Sequence, residues 1–174
     1  KDARVLYVTT RIRGLGFINV DSIINPQAKI QFVKNFLKCN TNVDVKGHPK
    51  GQEVDYGVSP ERVKSGELIN LITQYDIIVM DSLLSTAFSL VAASNLPIVF
   101  FGPSSAGFSK EGWEQVKKRV YFYKIEKNST EIPIEFSPHS IFSINKSSKF
   151  SETFSLSENA DQNLPRLKIL MKAM

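Results

Sequence analysis

The sequence is poor in cysteine and in long apolar runs. Its one cysteine, Cys39, has no partner for an internal disulfide, and it stands at the end of an amphipathic helix pattern, where a structural thiol is favoured over a nucleophile. We therefore expect a protein of a reducing compartment, the cytoplasm. The strongest apolar run, residues 96–101, has the length of a strand, well short of the roughly 18 residues that a membrane span needs. The sequence thus predicts neither an internal disulfide nor a membrane-embedded segment.

Charge of one sign is nowhere concentrated. No run of about five like charges marks a nucleic-acid-binding arm, so no nucleic-acid partner is expected. The 22 Lys and Arg against 17 Asp and Glu give a net charge of +5, which fits an anionic ligand as well as an ordinary solvated surface. An Asp-x-Asp motif is missing. We expect no bound metal and no cofactor.

The chain does contain an alternation of short apolar runs and helical patterns. Runs rich in β-branched and aromatic residues predict strands at residues 4–9, 43–46, 77–80 and 98–101. Asn25-Pro26 is typical of a helix start, and Ser59-Pro60 and Ser65 are further candidate caps. A helix is expected over residues 85–94. Such alternation indicates βαβ units.

These units predict an α/β fold, a Rossmann-like parallel sheet with helices on both faces, in which residues 1–174 form a single domain. The chain starts without Met and enters a strand almost at once, so we expect the C-terminal fragment of a longer protein. Further along, the pattern predicts a helix, a strand and a terminal helix, at residues 113–118, 120–125 and 165–174. Residues 133–157 show no clear period.

Polar residues suited to a phosphate follow each of the first four predicted strands. In open α/β sheets, ligands collect beyond the carboxyl ends of the strands. The segments there are Thr9-Thr10-Arg11, Gly47-His48-Pro49-Lys50-Gly51, Asp81-Ser82 with Ser85-Thr86, and Gly102-Pro103-Ser104-Ser105. They hold hydroxyls, glycines, an imidazole and cations, which together suit an anion and form neither a zinc site nor a nucleophilic triad.

Each candidate also has an ordinary structural interpretation. Ser85 and Thr86 could present hydroxyl and backbone donors to an anion at the start of a helix, or could simply cap that helix. His48, held by the proline that follows it, could donate to a phosphate oxygen, although a lone histidine is more often a surface or capping residue. Arg11 could be a solvated loop charge, and Asp81 could cap the turn after its strand.

The order of these motifs carries a resemblance. LYVTTRIR, VKGHPKG and YDIIVMDSLLSTAFSLVAASNLPIVFF resemble the C-terminal domain of bacterial GT-B glycosyltransferases, in particular surface-carbohydrate transferases. More loosely, they are similar to sialyl-, Kdo- and glycerophosphate-transferases, which use a His-Pro motif and a Ser/Thr motif to bind a CMP- or CDP-linked donor. The likeness covers residues 4–101 and is faint afterwards.

The resemblance implies the nucleotide-binding domain of an enzyme of polysaccharide biosynthesis, with a CMP-, CDP- or UDP-linked sugar as donor. His48 would contact the donor phosphate, Ser85 and Thr86 would bind the same phosphates, and Arg11 would add charge. Many relatives carry a Glu that binds the ribose hydroxyls, and Leu90 stands in its apparent place. A glycan or lipid-linked acceptor would bind through an N-terminal domain outside this chain, with peripheral contact at the inner face of the membrane. The catalytic base would also come from that domain.

Two other functions fit the same pattern. A nucleotide-sugar epimerase of GT-B fold would share this domain, and a non-catalytic interaction module could retain the fold, which Leu90 in place of Glu favours. A response-regulator receiver needs an acidic pair near the first strand, where LYVTT supplies none. A dinucleotide site would rest on Gly14-x-Gly16 alone, without the third glycine of that motif.

Overall fold

The computed structural model describes residues 3–10, 25–49, 54–83, 85–102, 108–126 and 128–133. Their strands are β1 (Val5–Val8), β2 (Val43–Lys46), β3 (Ile77–Met80), β4 (Ile98–Gly102) and β5 (Val120–Lys124). Their helices are α1 (Pro26–Cys39), α2 (Leu68–Leu71), α3 (Thr86–Ala92) and α4 (Lys110–Arg119), with 3-10 turns at Pro60–Arg62 and Ile72–Gln74.

The five strands form one parallel sheet in the order β2-β1-β3-β4-β5. β1 therefore has β2 on one side and β3 on the other. Val8, the last residue of β1, is level with Lys46 of β2 and Met80 of β3, so these three strands end together. The predicted α/β, Rossmann-like class is confirmed.

Helices cover the two faces of the sheet. Phe32, Val33 and Phe36 of α1 pack with one cluster, which includes Tyr7 and Phe101 from the strands. The second cluster joins the opposite side chains of the strands to apolar residues of α2, α3 and α4. Because both faces are covered, the strands are continuous apolar runs without alternation, as parallel sheets require.

Most of the local predictions are confirmed. The four predicted strands are present, and α1 begins after Asn25, whose side chain accepts a hydrogen bond from Gln27 N at 2.9 Å. The prediction that Ser65 caps a helix is wrong, since α2 begins after Glu67. Ser59 precedes only a 3-10 turn and makes no side-chain cap hydrogen bond. The predicted terminal helix lies outside the described residues.

Within those residues, no helix is both long enough and apolar enough to cross a bilayer. Cys39 is the last residue of α1 and is exposed.

Candidate functional site at the carboxyl ends of β1, β2 and β3

The strand order fixes where a ligand crevice can form. The connection from β1 to β2 carries α1 on one face, whereas α2 and α3 pack on the other. A sheet with the order 2-1-3-4-5 changes direction between β1 and β3, and such sheets bind ligands beyond the carboxyl ends of the strands at that point. In this chain that point lies between Thr9-Thr10 after β1 and Asp81-Ser82 after β3.

Asp81 connects the ends of β1 and β3. Its Oδ1 accepts a hydrogen bond from Thr10 N at 3.0 Å, and Lys29 Nζ of α1 lies 3.3 Å from the same oxygen. Lys29 also donates to the hydroxyl of Thr10. The Asp81 side chain is only 7% exposed and that of Lys29 17% exposed. These contacts hold β1, β3 and α1 together, so the bonds of Asp81 go to the neighbouring strand rather than to a turn of its own.

Tyr56 packs against the end of β1 from the loop after β2. Its phenol oxygen shares a hydrogen bond of 3.3 Å with the hydroxyl of Thr9, and both residues are buried. A Cβ at Gly47 would lie 3.0 Å from that phenol oxygen, so a larger residue there would require the Tyr56 side chain to shift by a few tenths of an ångström. Burial raises the pKa of Tyr56, despite the hydrogen bond with Thr9, which lowers it, so the phenol stays neutral.

The predicted histidine follows this glycine. His48 is exposed and lies two residues beyond β2. Two residues before it, at the end of β2, Lys46 is only 7% exposed, and burial lowers the pKa of its amino group. No ion pair or hydrogen bond of the Lys46 side chain occurs within the described part of the chain. Sequence reasoning missed Lys46, because a lysine that ends a strand usually extends into solvent.

Ser85 and Thr86 lie where α3 begins. Ser85 is the N-cap, and its Oγ accepts a hydrogen bond from Phe88 N at 3.2 Å. The structural interpretation of Ser85 is therefore correct, although its hydroxyl proton can still be donated to a ligand. Thr86 is exposed, and among the described residues no hydrogen bond uses its hydroxyl. α3 has only seven residues, so its dipole adds little.

Leu90 does not point toward this edge. It is 2% exposed and packs in the cluster of α2, α3 and α4. A glutamate at this position would enter the core instead of reaching a ribose. The ring hydroxyls of a nucleotide therefore cannot be bound from position 90.

His48 and the Ser85-Thr86 pair leave from the two strands that flank β1. Neighbouring strands are about 4.8 Å apart, so the ends of β2 and β3 are separated by about 10 Å. Arg11 lies outside the described residues, as do Lys50, Gly51 and the segment 103–105. Among the residues that are described, no three His, Cys, Asp or Glu side chains lie close enough to bind one metal ion.

We compared the sequence with family models and with curated proteins. No family model matches the sequence, and no curated protein matches it.

Proposed function

We propose that this chain is the donor-binding domain of a GT-B glycosyltransferase and that the carboxyl ends of β2, β1 and β3 bind the phosphates of a nucleotide sugar. One observation carries the proposal: the His-Pro loop and the Ser/Thr pair leave from the two strands that flank β1. Such sheets bind their ligands next to the strand where the order changes direction.

The charges at this edge suit a phosphate. The Lys46 side chain is largely covered, but its ammonium is not among the buried atoms without a partner and has no acidic partner among the described residues, so it is a cation that a phosphate could bind. The imidazole of His48 and the hydroxyls of Ser85 and Thr86 are further hydrogen-bond donors. Lys29 is already paired with Asp81, so its charge contributes less.

The span of the site suits a nucleotide. The ends of β2 and β3 are about 10 Å apart, and a diphosphate with its ribose can bridge that distance. In the full enzyme this domain would neutralise the nucleotide leaving group while an acceptor hydroxyl attacks the anomeric carbon. Preorganised cations and donors stabilise the charge that develops on such a leaving group.

Isothermal titration of the chain with CMP, CDP, UDP and GDP tests the proposal. At least one nucleotide should bind, and the diphosphate should bind more tightly than the monophosphate with the same base. Absence of binding by all four at millimolar concentration, with the protein folded, would remove the proposed function.

A pair of lysine variants provides the control. Lys46→Met removes a cation at the carboxyl edge, whereas Lys38→Met removes an exposed lysine in the last turn of α1, at the opposite edge. Both variants change the net charge by the same amount. Loss of affinity in Lys46→Met alone locates the phosphate, and an equal loss in both would indicate attraction by net charge only.

A further inference from the structure

Two buried polar atoms lie near the ends of β1 and β3. The phenol oxygen of Tyr7 and Oδ2 of Asp81 are both buried, and neither has a hydrogen-bond partner within the described residues. Tyr7 and Asp81 line the same cavity of about 20 Å³, together with Lys29 and Phe32 of α1 and Ser129 after β5. Buried polar atoms are nearly always hydrogen-bonded, so two such atoms on residues that line one cavity indicate a missing hydrogen-bonding group, either a water molecule or a group of a ligand.

Tyr7 offers a neutral hydroxyl. Burial raises the pKa of its phenol well above the usual range, and the nearby Asp81 carboxylate and Tyr56 raise it further. The phenol is therefore protonated at any physiological pH and can both donate and accept a hydrogen bond. Its ring is fixed by an edge contact with Phe36, with 5.2 Å between ring centroids.

Asp81 offers an acceptor. Thr10 N and Lys29 Nζ both contact Oδ1, whereas Oδ2 has no donor among the described residues. A carboxylate oxygen in this position attracts a hydrogen-bond donor and repels an anion. The nearest cation, Lys29, is already paired with Oδ1, so a second positive group would also be disfavoured.

A hydroxyl group satisfies both atoms. It can donate to Asp81 Oδ2 and accept from Tyr7, and it carries no charge. The cavity of about 20 Å³ has room for roughly one water molecule, which is also the size of one hydroxyl. A phosphate is too large for this space and has the wrong charge.

We propose that the Tyr7–Asp81 pocket binds one hydroxyl of the carbohydrate part of the donor, either the ribose or the transferred sugar. The inference rests on the proposed function and adds the residues that recognise the sugar ring. It also assigns a contact that position 90 cannot make, because Leu90 faces the core. The pocket adjoins Thr10, at the strand end where the phosphates would lie.

Tyr7→Phe tests the pocket because it removes only the hydroxyl. Titrations would use the nucleoside diphosphate that binds, its 2′-deoxy and 3′-deoxy analogues and the corresponding nucleotide sugar, each with wild type and with Tyr7→Phe. If the ribose is bound, wild type should prefer one ribonucleotide over its deoxy analogue by about tenfold, and Tyr7→Phe should lose that preference. If the transferred sugar is bound, the nucleotide sugar should exceed the diphosphate in affinity for wild type only.

Tyr56→Phe is the matched control. It also removes a buried phenol oxygen near β1, but one that already has Thr9 as its partner. It should lower the free energy of unfolding. The ratio of affinities for the ribonucleotide and its deoxy analogue, and the ratio for the nucleotide sugar and the diphosphate, should stay as in wild type. If both affinity ratios are the same in wild type and in Tyr7→Phe, the proposal is overturned, and the pocket holds only water.

A separate measurement covers the case in which no nucleotide binds. Tyrosine-labelled protein would be titrated with D-ribose and with methyl glucoside, and the ring signals of Tyr7 would be assigned by their loss in Tyr7→Phe. Movement of these signals with either sugar would keep the hydroxyl site although the donor-binding function had failed. Signals that do not move would overturn the site as well.

Discussion

At the scale of single residues, Arg119 and Lys46 are both largely covered, but their charged groups have different surroundings. Arg119 is 2% exposed, and its guanidinium donates to three carbonyl oxygens, at 3.3 Å to Ala92, 2.6 Å to Ser94 and 2.8 Å to Leu96. This is a structural role, because the rigid fork of arginine closes the turn between α3 and β4. The Lys46 side chain is 7% exposed, but its ammonium is not among the buried atoms without a partner and has no hydrogen bond or ion pair among the described residues. The stem of Lys46 is therefore covered while its charge reaches solvent, where a phosphate could bind it.

We expect Lys46→Met to raise stability and lower affinity together. Methionine keeps a similar apolar stem without the charge, so the free energy of unfolding should rise slightly, by less than about 0.5 kcal/mol. Affinity for a nucleoside diphosphate should fall about tenfold. Urea unfolding and calorimetric titration measure the two effects. A variant that is less stable than wild type would show that the ammonium has a structural partner.

The stability effect should depend on pH. Burial lowers the pKa of Lys46 in the folded state below its usual value of 10.5. The cost of burying the charge is therefore fully present below the folded pKa and disappears as pH rises towards the unfolded value. The advantage of Lys46→Met should be constant near neutral pH and vanish at the alkaline end of a series of urea titrations, whereas Lys38→Met should show no such trend.

At the scale of helices and strands, apolar runs predicted the strands well because both faces of the sheet are buried. Asn25-Pro26 predicted the start of α1, because a cap and a proline at the first helical position specify the same boundary. Ser65 failed as a cap because α2 is only four residues long and begins later, after Glu67. Serine is common in loops, so a serine before an apolar pattern specifies a boundary only weakly.

Mutations can distinguish the role of Ser85 in stability from the role of Thr86 in nucleotide binding. Ser85→Ala removes the cap bond to Phe88 N, so the free energy of unfolding should fall by about 1 kcal/mol. Thr86→Val keeps the shape of an exposed side chain and removes one donor, so affinity for the diphosphate should fall severalfold at unchanged stability. Thermal unfolding and calorimetric titration report the two effects.

Ser109→Ala is the control for the cap. Ser109 caps α4 through Gly112 N at 3.1 Å, and this helix follows β4, which does not adjoin β1. The variant should lose about as much stability as Ser85→Ala and keep full affinity. Unchanged affinity in Thr86→Val would remove that hydroxyl from the phosphate site.

A glutamate at position 90 should harm this protein. Leu90→Glu places a carboxylate at a position that is 2% exposed, and the free energy of unfolding should fall by about 3 kcal/mol or more. Ser89→Glu, at the exposed neighbouring position, should change it by less than about 0.5 kcal/mol. Urea unfolding measures both. Tighter nucleotide binding by a stable Leu90→Glu variant would show that position 90 reaches the ligand.

At the scale of the whole molecule, the sequence predicted the α/β class but could not give the contacts between distant segments. The hydrogen bond between Thr10 and Asp81 joins residues 71 positions apart, and no local pattern indicates it. From its neighbours in the chain, Asp81 could be a ligand-binding residue or a turn cap, and its contact with Thr10 could not be predicted. Tyr7 was counted as an apolar strand residue, and its unpartnered hydroxyl becomes visible only when β3 and α1 are packed beside it.

The strand order also limits the alternatives. The order 2-1-3-4-5 is shared by flavodoxin-like sheets, including receivers. In this chain β1 is followed by Thr9 and Thr10, whose side-chain and amide contacts include Tyr56, Asp81 and Lys29. Hydroxyls therefore stand at the position where a receiver needs its acidic pair. The topology defines the crevice, whereas the side chains at its edge determine which ligand it accepts.

Amide NMR during titration with CDP and with UDP tests the single phosphate site at this edge. One of these nucleotides should shift the amides of Thr10, Gly47, His48, Ser82 and Ser85 together, with a single dissociation constant. Amides at the other ends of the strands, such as Asn42, Asp76 and Leu96, should stay in place. Shifts confined to those residues, or separate dissociation constants for His48 and Ser85, would contradict a single phosphate site at this edge.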